Sequence, residues 1–273
     1  MSTAWIIASG KGGVGKSTIT ACLGAAMSRE GRRVCIVDAD IGLRDQDALL
    51  GLENRIVFDL LDVAGGSCRL DQALVMPDGE HRLTLLPASQ FARAKELSPK
   101  DFRRILLELK ERFDVVLIDC PAGIERSLRG LMNDAVDETI LICTPDDICI
   151  RNAERTCGVM EKKGLPRPQV IVNRLSPELI RAGEMYTAAT VAATLDIHLL
   201  GEIPEDAAVY RAALQHLSPM DVDCEARRAL TRIAWRMLDE DVDAPLPGYG
   251  TEKLPWYRRI FQPALKEVKR IDR

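Results

Sequence analysis

Gly10-Lys11-Gly12-Gly13-Val14-Gly15-Lys16-Ser17-Thr18 is the most informative run in this chain. It follows the short apolar run Trp5-Ile6-Ile7-Ala8 and precedes a helical pattern of Ala21, Leu23, Gly24, Ala25 and Met27. Strand, glycine-rich loop and helix form the setting in which G-x-x-x-x-G-K-[ST] cradles a polyphosphate. Backbone N–H groups of residues 12–18 curl around the anion where side chains would block them. The helix N-terminus adds its partial positive charge. Lys16 is then a compact cation against the β- and γ-phosphates, and the Ser17 hydroxyl suits Mg²⁺, a hard ion that prefers oxygen. A flexible turn that ends in Lys-Ser by chance would lack the flanking strand and helix. Lys11 has no task in an ordinary phosphate loop and, by itself, reads as a solvated lysine.

Outward from this loop, apolar runs alternate with helical patterns. The spacing predicts strands at 4–8, 34–38, 83–87, 114–119, 138–143, 169–173 and 199–203. Several are apolar on both faces, as in Val115-Val116-Leu117-Ile118, which suits central strands of a parallel sheet covered by helices. A helix is expected over 99–112. Ser98 caps it, Pro99 fits its first turn, and Phe102, Ile105, Leu106 and Leu109 form its inward stripe. Gly31 ends the helix that follows the phosphate loop. The fold class expected is α/β: a doubly wound, mostly parallel sheet flanked by helices in the P-loop NTPase manner.

Two strand ends carry acids. The second reads Val37-Asp38-Ala39-Asp40, then Ile41-Gly42-Leu43-Arg44. Strand C-termini line the ligand crevice of a doubly wound sheet, so these carboxylates either position a water and support magnesium or simply enter an Asp-rich turn. The fourth reads Val115-Val116-Leu117-Ile118-Asp119, the Walker B arrangement, in which the acid stands beside magnesium. Ala122 and Gly123 follow it. Gly123 lets a backbone N–H swing toward a γ-phosphate, a segment that would order with ATP and relax after hydrolysis.

The 273 residues are 47% apolar, enough for one sizeable α/β core with a tail. Net charge is −4, which gives no overall attraction to nucleic acid. The charge is uneven: residues 253–273 are +5 and the remaining 252 are −9. Eight cysteines lack metal-like spacing and sit in apolar runs, as buried small hydrophobes in a reducing compartment do. Three histidines, widely spaced, argue against a histidine metal site. No run approaches the ~20 apolar residues of a spanning helix, and no secretory leader is expected.

The organisation expected is an ATPase domain at 1–238, a polar linker at 239–252 and an amphipathic tail at 253–273. In the tail Tyr257, Ile260, Phe261, Leu265 and Val268 recur at helical spacing, with basic residues largely opposite. An apolar, aromatic face beside a basic face suits an anionic lipid surface; a helix docked on the domain is the other reading. Pro263 interrupts the pattern, because proline inside a continuous helix costs about 3 kcal/mol.

Taken together, the early Lys11, Ile41-Gly42-Leu43-Arg44, Leu86-Pro87-Ala88-Ser89-Gln90, Pro121-Ala122-Gly123-Ile124-Glu125 and Ile203-Pro204-Glu205-Asp206 resemble the MinD family of septum site-determining ATPases. This family lies in the deviant Walker A class of MinD and ParA. The resemblance runs from residue 3 to about residue 240. It implies that Lys11 acts in trans on a partner subunit's nucleotide. Lys16 and residues Gly12, Gly13, Val14, Gly15, Ser17 and Thr18 would bind the phosphates. Ser17, Asp38, Asp40 and Asp119 would serve the metal, with Asp40 orienting the attacking water. Asp38, Asp40, Gly42, Asp119, Ala122 and Gly123 would form the switch. Asn173 would read the adenine, and Pro204, Glu205 and Asp206 would pack along the base. Arg151–Arg155 would start the helix that receives partners. Trp256, Tyr257, Arg258, Arg259, Ile260, Phe261 and Leu265 would meet the membrane.

ATP and Mg²⁺ are the cofactors implied. The implied partners are a second copy of the chain when ATP is bound, a MinC-type septation inhibitor, a MinE-type or other activator, and an anionic membrane surface, with no specific nucleic acid. The place implied is the cytoplasm, reversibly peripheral at the inner face of the cell membrane. Rival readings are a ParA-like or flagellar-number ATPase, an iron–sulfur reductase hinted at by Cys120, and a non-hydrolysing adaptor.

Overall fold

A computed structural model describes residues 2–90, 97–121, 131 and 133–238. Ala122, Gly123, the expected linker 239–252 and the expected tail, including Pro263 and the membrane residues 256–261 and 265, lie outside the described residues. Seven strands form one sheet: β1 (Thr3–Ser9), β2 (Val34–Asp38), β3 (Leu83–Leu86), β4 (Val115–Asp119), β5 (Glu138–Cys143), β6 (Gln169–Leu175) and β7 (His198–Pro204). Their order is β3-β2-β4-β1-β5-β6-β7. Every strand pair in the sheet is parallel. Each expected strand is present, with ends shifted by two residues at most.

Both faces of the sheet are buried, which explains the near-continuous apolar strands. Along β1, Trp5 and Ile7 enter one core while Ala4, Ile6 and Ala8 enter the other. The first core is covered by α1 (Lys16–Arg29), α6 (Asp147–Lys162), α8 (Ala188–Leu195) and α10 (Glu225–Met237). The second is covered by the short helices α3 (Leu60–Gly65) and α4 (Leu70–Ala73) and by α5 (Pro99–Arg112). On α5, Ser98 accepts the Asp101 N–H at 3.1 Å, and Phe102, Ile105, Leu106 and Leu109 are fully buried. Burying one such side chain contributes about 1.5–3 kcal/mol. The remaining helices are α2 (Gln46–Leu49), α7 (Pro177–Ala182) and α9 (Ala207–Leu214).

Register gathers the acids. Asp119 pairs in register with Ile7 on one side and with Asp38 on the other. The phosphate loop leaves β1 two residues beyond Ile7, so the loop and both carboxylates meet at one end of the sheet. The sheet order makes this possible: β4 lies between β1 and β2, so the β1–α1–β2 crossover steps over it.

Candidate active site

The loop after β1 is held by its glycines. Gly13 and Gly15 have φ of 75° and 94°, a region that side chains rarely adopt. Gly10 is required by proximity: a Cβ there would lie 2.5 Å from the Asn152 carbonyl carbon of α6. Asn173 crosses from β6 to the loop and donates from Nδ2 to the Val14 carbonyl at 2.8 Å. The β6–β7 register shifts between Val172 and Leu175, and Arg174 adopts φ 59°, so the regular ladder is interrupted at Asn173.

Lys16 opens α1 and is 6% exposed. Its Nζ lies 2.5 Å from Asp119 Oδ1 and 3.2 Å from Ser17 Oγ. Thr20, one turn along, donates to the Lys16 carbonyl at 2.9 Å and reaches Asp119 Oδ1 at 3.4 Å. Gln46 donates from Nε2 to Asp119 Oδ2 at 2.7 Å and to the Ser17 carbonyl at 3.0 Å. The Walker B acid is thus met on both oxygens.

The Asp-x-Asp pair divides its labour. Asp38 is fully buried, and each of its oxygens accepts a backbone N–H, from Asp40 at 2.9 Å and from Gln46 at 3.1 Å. Burial, reinforced by the charge of Asp119, pushes its pKa up to about 7 against those two hydrogen bonds. These two bonds tie Asp38 to the 38–46 turn. Asp40 is raised too, by burial, with Lys16 pulling the other way. The turn continues through Gly42, whose N–H donates to Ser89 O at 2.9 Å, and is locked by Arg44 Nε on Asp47 Oδ2 at 2.8 Å.

Lys11 faces outward. Its Nζ lies 3.5 Å from Asp146 Oδ1, with both side chains 43% exposed. Asp146 caps α6. Burial works against its ionisation, but hydrogen bonds from Thr144 and the Cys149 N–H, with Lys11, hold it below the usual carboxylate range. On the base side, Gly15, Thr18, Asn173 and Pro204–Asp206 line one cavity of about 1240 Å³. Asp206 also caps α9 by accepting the Ala208 N–H at 2.8 Å. At α6, Arg151, Glu154 and Arg155 are exposed, and so is Ile148.

Sequence reasoning missed Thr20 and Gln46. Thr20 follows Lys16 by one helical turn, a signal visible in retrospect. For Gln46 the only signal is a glutamine just after the Asp-x-Asp segment, and nothing local marks it as buried.

The family model of the CobQ/CobB/MinD/ParA nucleotide binding domain matches residues 5–220. The septum site-determining protein MinD of Bacillus subtilis is 40% identical over 246 residues, which is 89% of this chain and 91% of that protein. The chain belongs to the MinD family. It also resembles solved MinD structures. One, from the MinC:MinD cell division protein complex of Aquifex aeolicus, has a TM-score of 0.81 at 32% identity and covers 91% of this chain and 100% of that one. Another is the Pyrococcus horikoshii MinD complexed with Mg-ADP, with a TM-score of 0.76 at 28% identity, covering 87% and 96%.

A MinD-type site needs magnesium, and the residues present fit it. Ser17 and Asp119 are oxygen donors 3.2 and 2.5 Å from the same ammonium group, and the Gln46 Oε1 beside them is buried without a hydrogen-bond partner. No group of three His, Cys, Asp or Glu converges as a metal cage among the described residues. Magnesium commonly takes one or two carboxylates and completes its shell with water and phosphate. The iron–sulfur reading loses its one hint: Cys120 is fully buried, with its thiol on the Ile118 carbonyl at 3.9 Å. Of the other cysteines, Cys143 and Cys149 sit with their Sγ atoms 3.4 Å apart, a pairing the spacing did not suggest.

Proposed function

We propose that this MinD-family ATPase works as an ATP-dependent dimerising switch at the membrane, which positions the division site by recruiting a MinC-type septation inhibitor. The observation that carries the reading is the division of its two loop lysines: Lys16 is buried on Asp119, whereas Lys11 stands outside on Asp146. One lysine serves the chain's own nucleotide, and the other is free to serve a partner's.

The chemistry follows from the residues. Lys16 exchanges the Asp119 carboxylate for phosphate oxygens, which carry more negative charge. Backbone N–H groups of residues 12–18 and the α1 N-terminus receive the remaining phosphate oxygens. Ser17 and Asp119 would hold magnesium, which would supply charge neutralisation for the nucleotide's phosphates. Asp40, buried and beside Lys16, orients the attacking water, and Asp38 fixes the turn that carries it. Asn173 and Pro204–Asp206 receive the base in the cavity they line. Lys11 leaves Asp146 for the nucleotide of a second copy. An exposed pair of this kind contributes about 0–1 kcal/mol, so the exchange is easy.

No helix among the described residues is long and apolar enough to cross a membrane. Membrane contact is assigned to residues 256–261 and 265 of the basic, amphipathic tail. A single short amphipathic segment binds marginally, and two joined through a dimer gain avidity of orders of magnitude. Dimerisation on ATP becomes membrane binding, and hydrolysis, under a MinE-type or other activator, becomes release. The exposed Ile148, Arg151 and Arg155 of α6 offer a surface for the inhibitor. A DNA-partitioning role is disfavoured by a −9 body, because DNA affinity rests on phosphate neutralisation.

Liposome co-sedimentation tests the reading. The full chain should sediment with anionic vesicles in ATP but not in ADP. A chain ending at residue 252 and a Lys11→Ala variant should both stay in the supernatant. Sedimentation independent of nucleotide, or none under any condition, would remove the membrane switch and leave the ATPase.

A further inference from the structure

Gln46 touches Asp38, Ser17 and Asp119 at the phosphate end, and the mechanism above makes no use of its side chain. It is fully buried at the start of α2. Its backbone N–H holds Asp38 Oδ2 at 3.1 Å. Its Nε2 spends both hydrogens, on Asp119 Oδ2 at 2.7 Å and on the Ser17 carbonyl at 3.0 Å. Both partners are acceptors, so the amide has one workable orientation, and Oε1 is left buried with no donor.

A buried acceptor without a donor is costly, and it persists where something else satisfies it. Here Oε1 shares a carboxamide with the nitrogen bound to Asp119, so an unpaired acceptor belongs to the same amide that holds the Walker B acid. That arrangement attracts a cation or molecules with hydrogens to donate. Magnesium brings both, because it dehydrates reluctantly and keeps several waters.

We propose that Gln46 is a positioning residue for magnesium in this site. Its Nε2 keeps Asp119 in place while Lys16 turns to the phosphates, and its Oε1 accepts hydrogen bonds from the water shell of the ion. The proposal rests on the reading of Ser17 and Asp119 as the magnesium site. Partners of this outer kind typically change metal affinity 10–100-fold.

The test is Mg²⁺ titration of fluorescent ADP bound to the full chain, with the same nucleotide in EDTA as reference. Gln46→Met keeps the length of the side chain and removes both polar atoms. It should raise the Mg²⁺ concentration at half-saturation about tenfold or more, while affinity in EDTA stays within about threefold. Gln46→Leu also removes both polar atoms, with a shorter side chain, and should shift the midpoint the same way. A Gln46→Met midpoint within twofold of the parent overturns the proposal, and so does an equal loss in EDTA, which marks a merely structural role. If Gln46→Met does not fold, Gln46→Leu decides alone: a midpoint raised about tenfold or more supports the proposal, and an unchanged or lower one overturns it. If the parent itself binds ADP without regard to Mg²⁺, the magnesium site falls and the role of Gln46 falls with it.

Discussion

Replacing Asp119 by Asn isolates the buried pair at the centre of the site. Lys16 and Asp119 are 6% and 1% exposed and lie 2.5 Å apart. The substitution removes the negative charge in contact with the buried ammonium and leaves it only the longer-range pull of Asp40. The new amide nitrogen would also face a donor, either Lys16 Nζ or Gln46 Nε2. Breaking a buried pair by neutralising one partner costs about 3–5 kcal/mol. At roughly 2–4 °C per kcal/mol for a domain of this size, the melting temperature without nucleotide should fall by about 6–20 °C. ATP supplies a replacement anion for Lys16. At a hundred times its dissociation constant it restores about 2.7 kcal/mol, so the variant should regain much of the loss even in EDTA. The assay is thermal unfolding of parent and variant, with and without ATP. A variant that melts within about 2 °C of the parent without nucleotide would refute the view that this pair compensates buried charge.

Two further outcomes follow from single positions. Asp38 has a folded pKa of about 7, above its unfolded value, so its contribution to stability is full below pH 4 and is lost as pH rises from about 4 to about 7. Urea unfolding across that window should show the decline, and Asp38→Asn should flatten it whatever its effect on overall stability. Gly10→Ala puts a Cβ 2.5 Å from the Asn152 carbonyl carbon and 2.8 Å from the Ala153 nitrogen, both backbone. The loop must move, which should reduce ATP turnover about 100-fold, whereas Gly158→Ala, with nothing within 4 Å, should leave turnover unchanged.

Much of this protein is readable residue by residue. The strand that precedes Gly10, the helix that follows Lys16 and the apolar run that ends in Asp119 are each written in a few neighbouring positions. Their order in the chain already points to a nucleotide loop with a Walker B acid. The capping of α5 by Ser98 and the stop at Gly31 were equally legible, because capping depends on the nearest turn of backbone.

The partners of the site residues were not. Lys16 meets Asp119 across 103 positions, and Asn173 meets Val14 across 159. Lys11 is held by Asp146, and Gln46 is buried against Asp119 and Ser17. None of these distances has a local cause. They follow from the sheet order, which sets β4 between β1 and β2 and brings three strand ends together. The sequence by itself determined which groups could do phosphate chemistry, since side-chain type and backbone freedom are local properties. The tertiary structure decided which of them touch, since contact depends on register and crossover across the whole sheet.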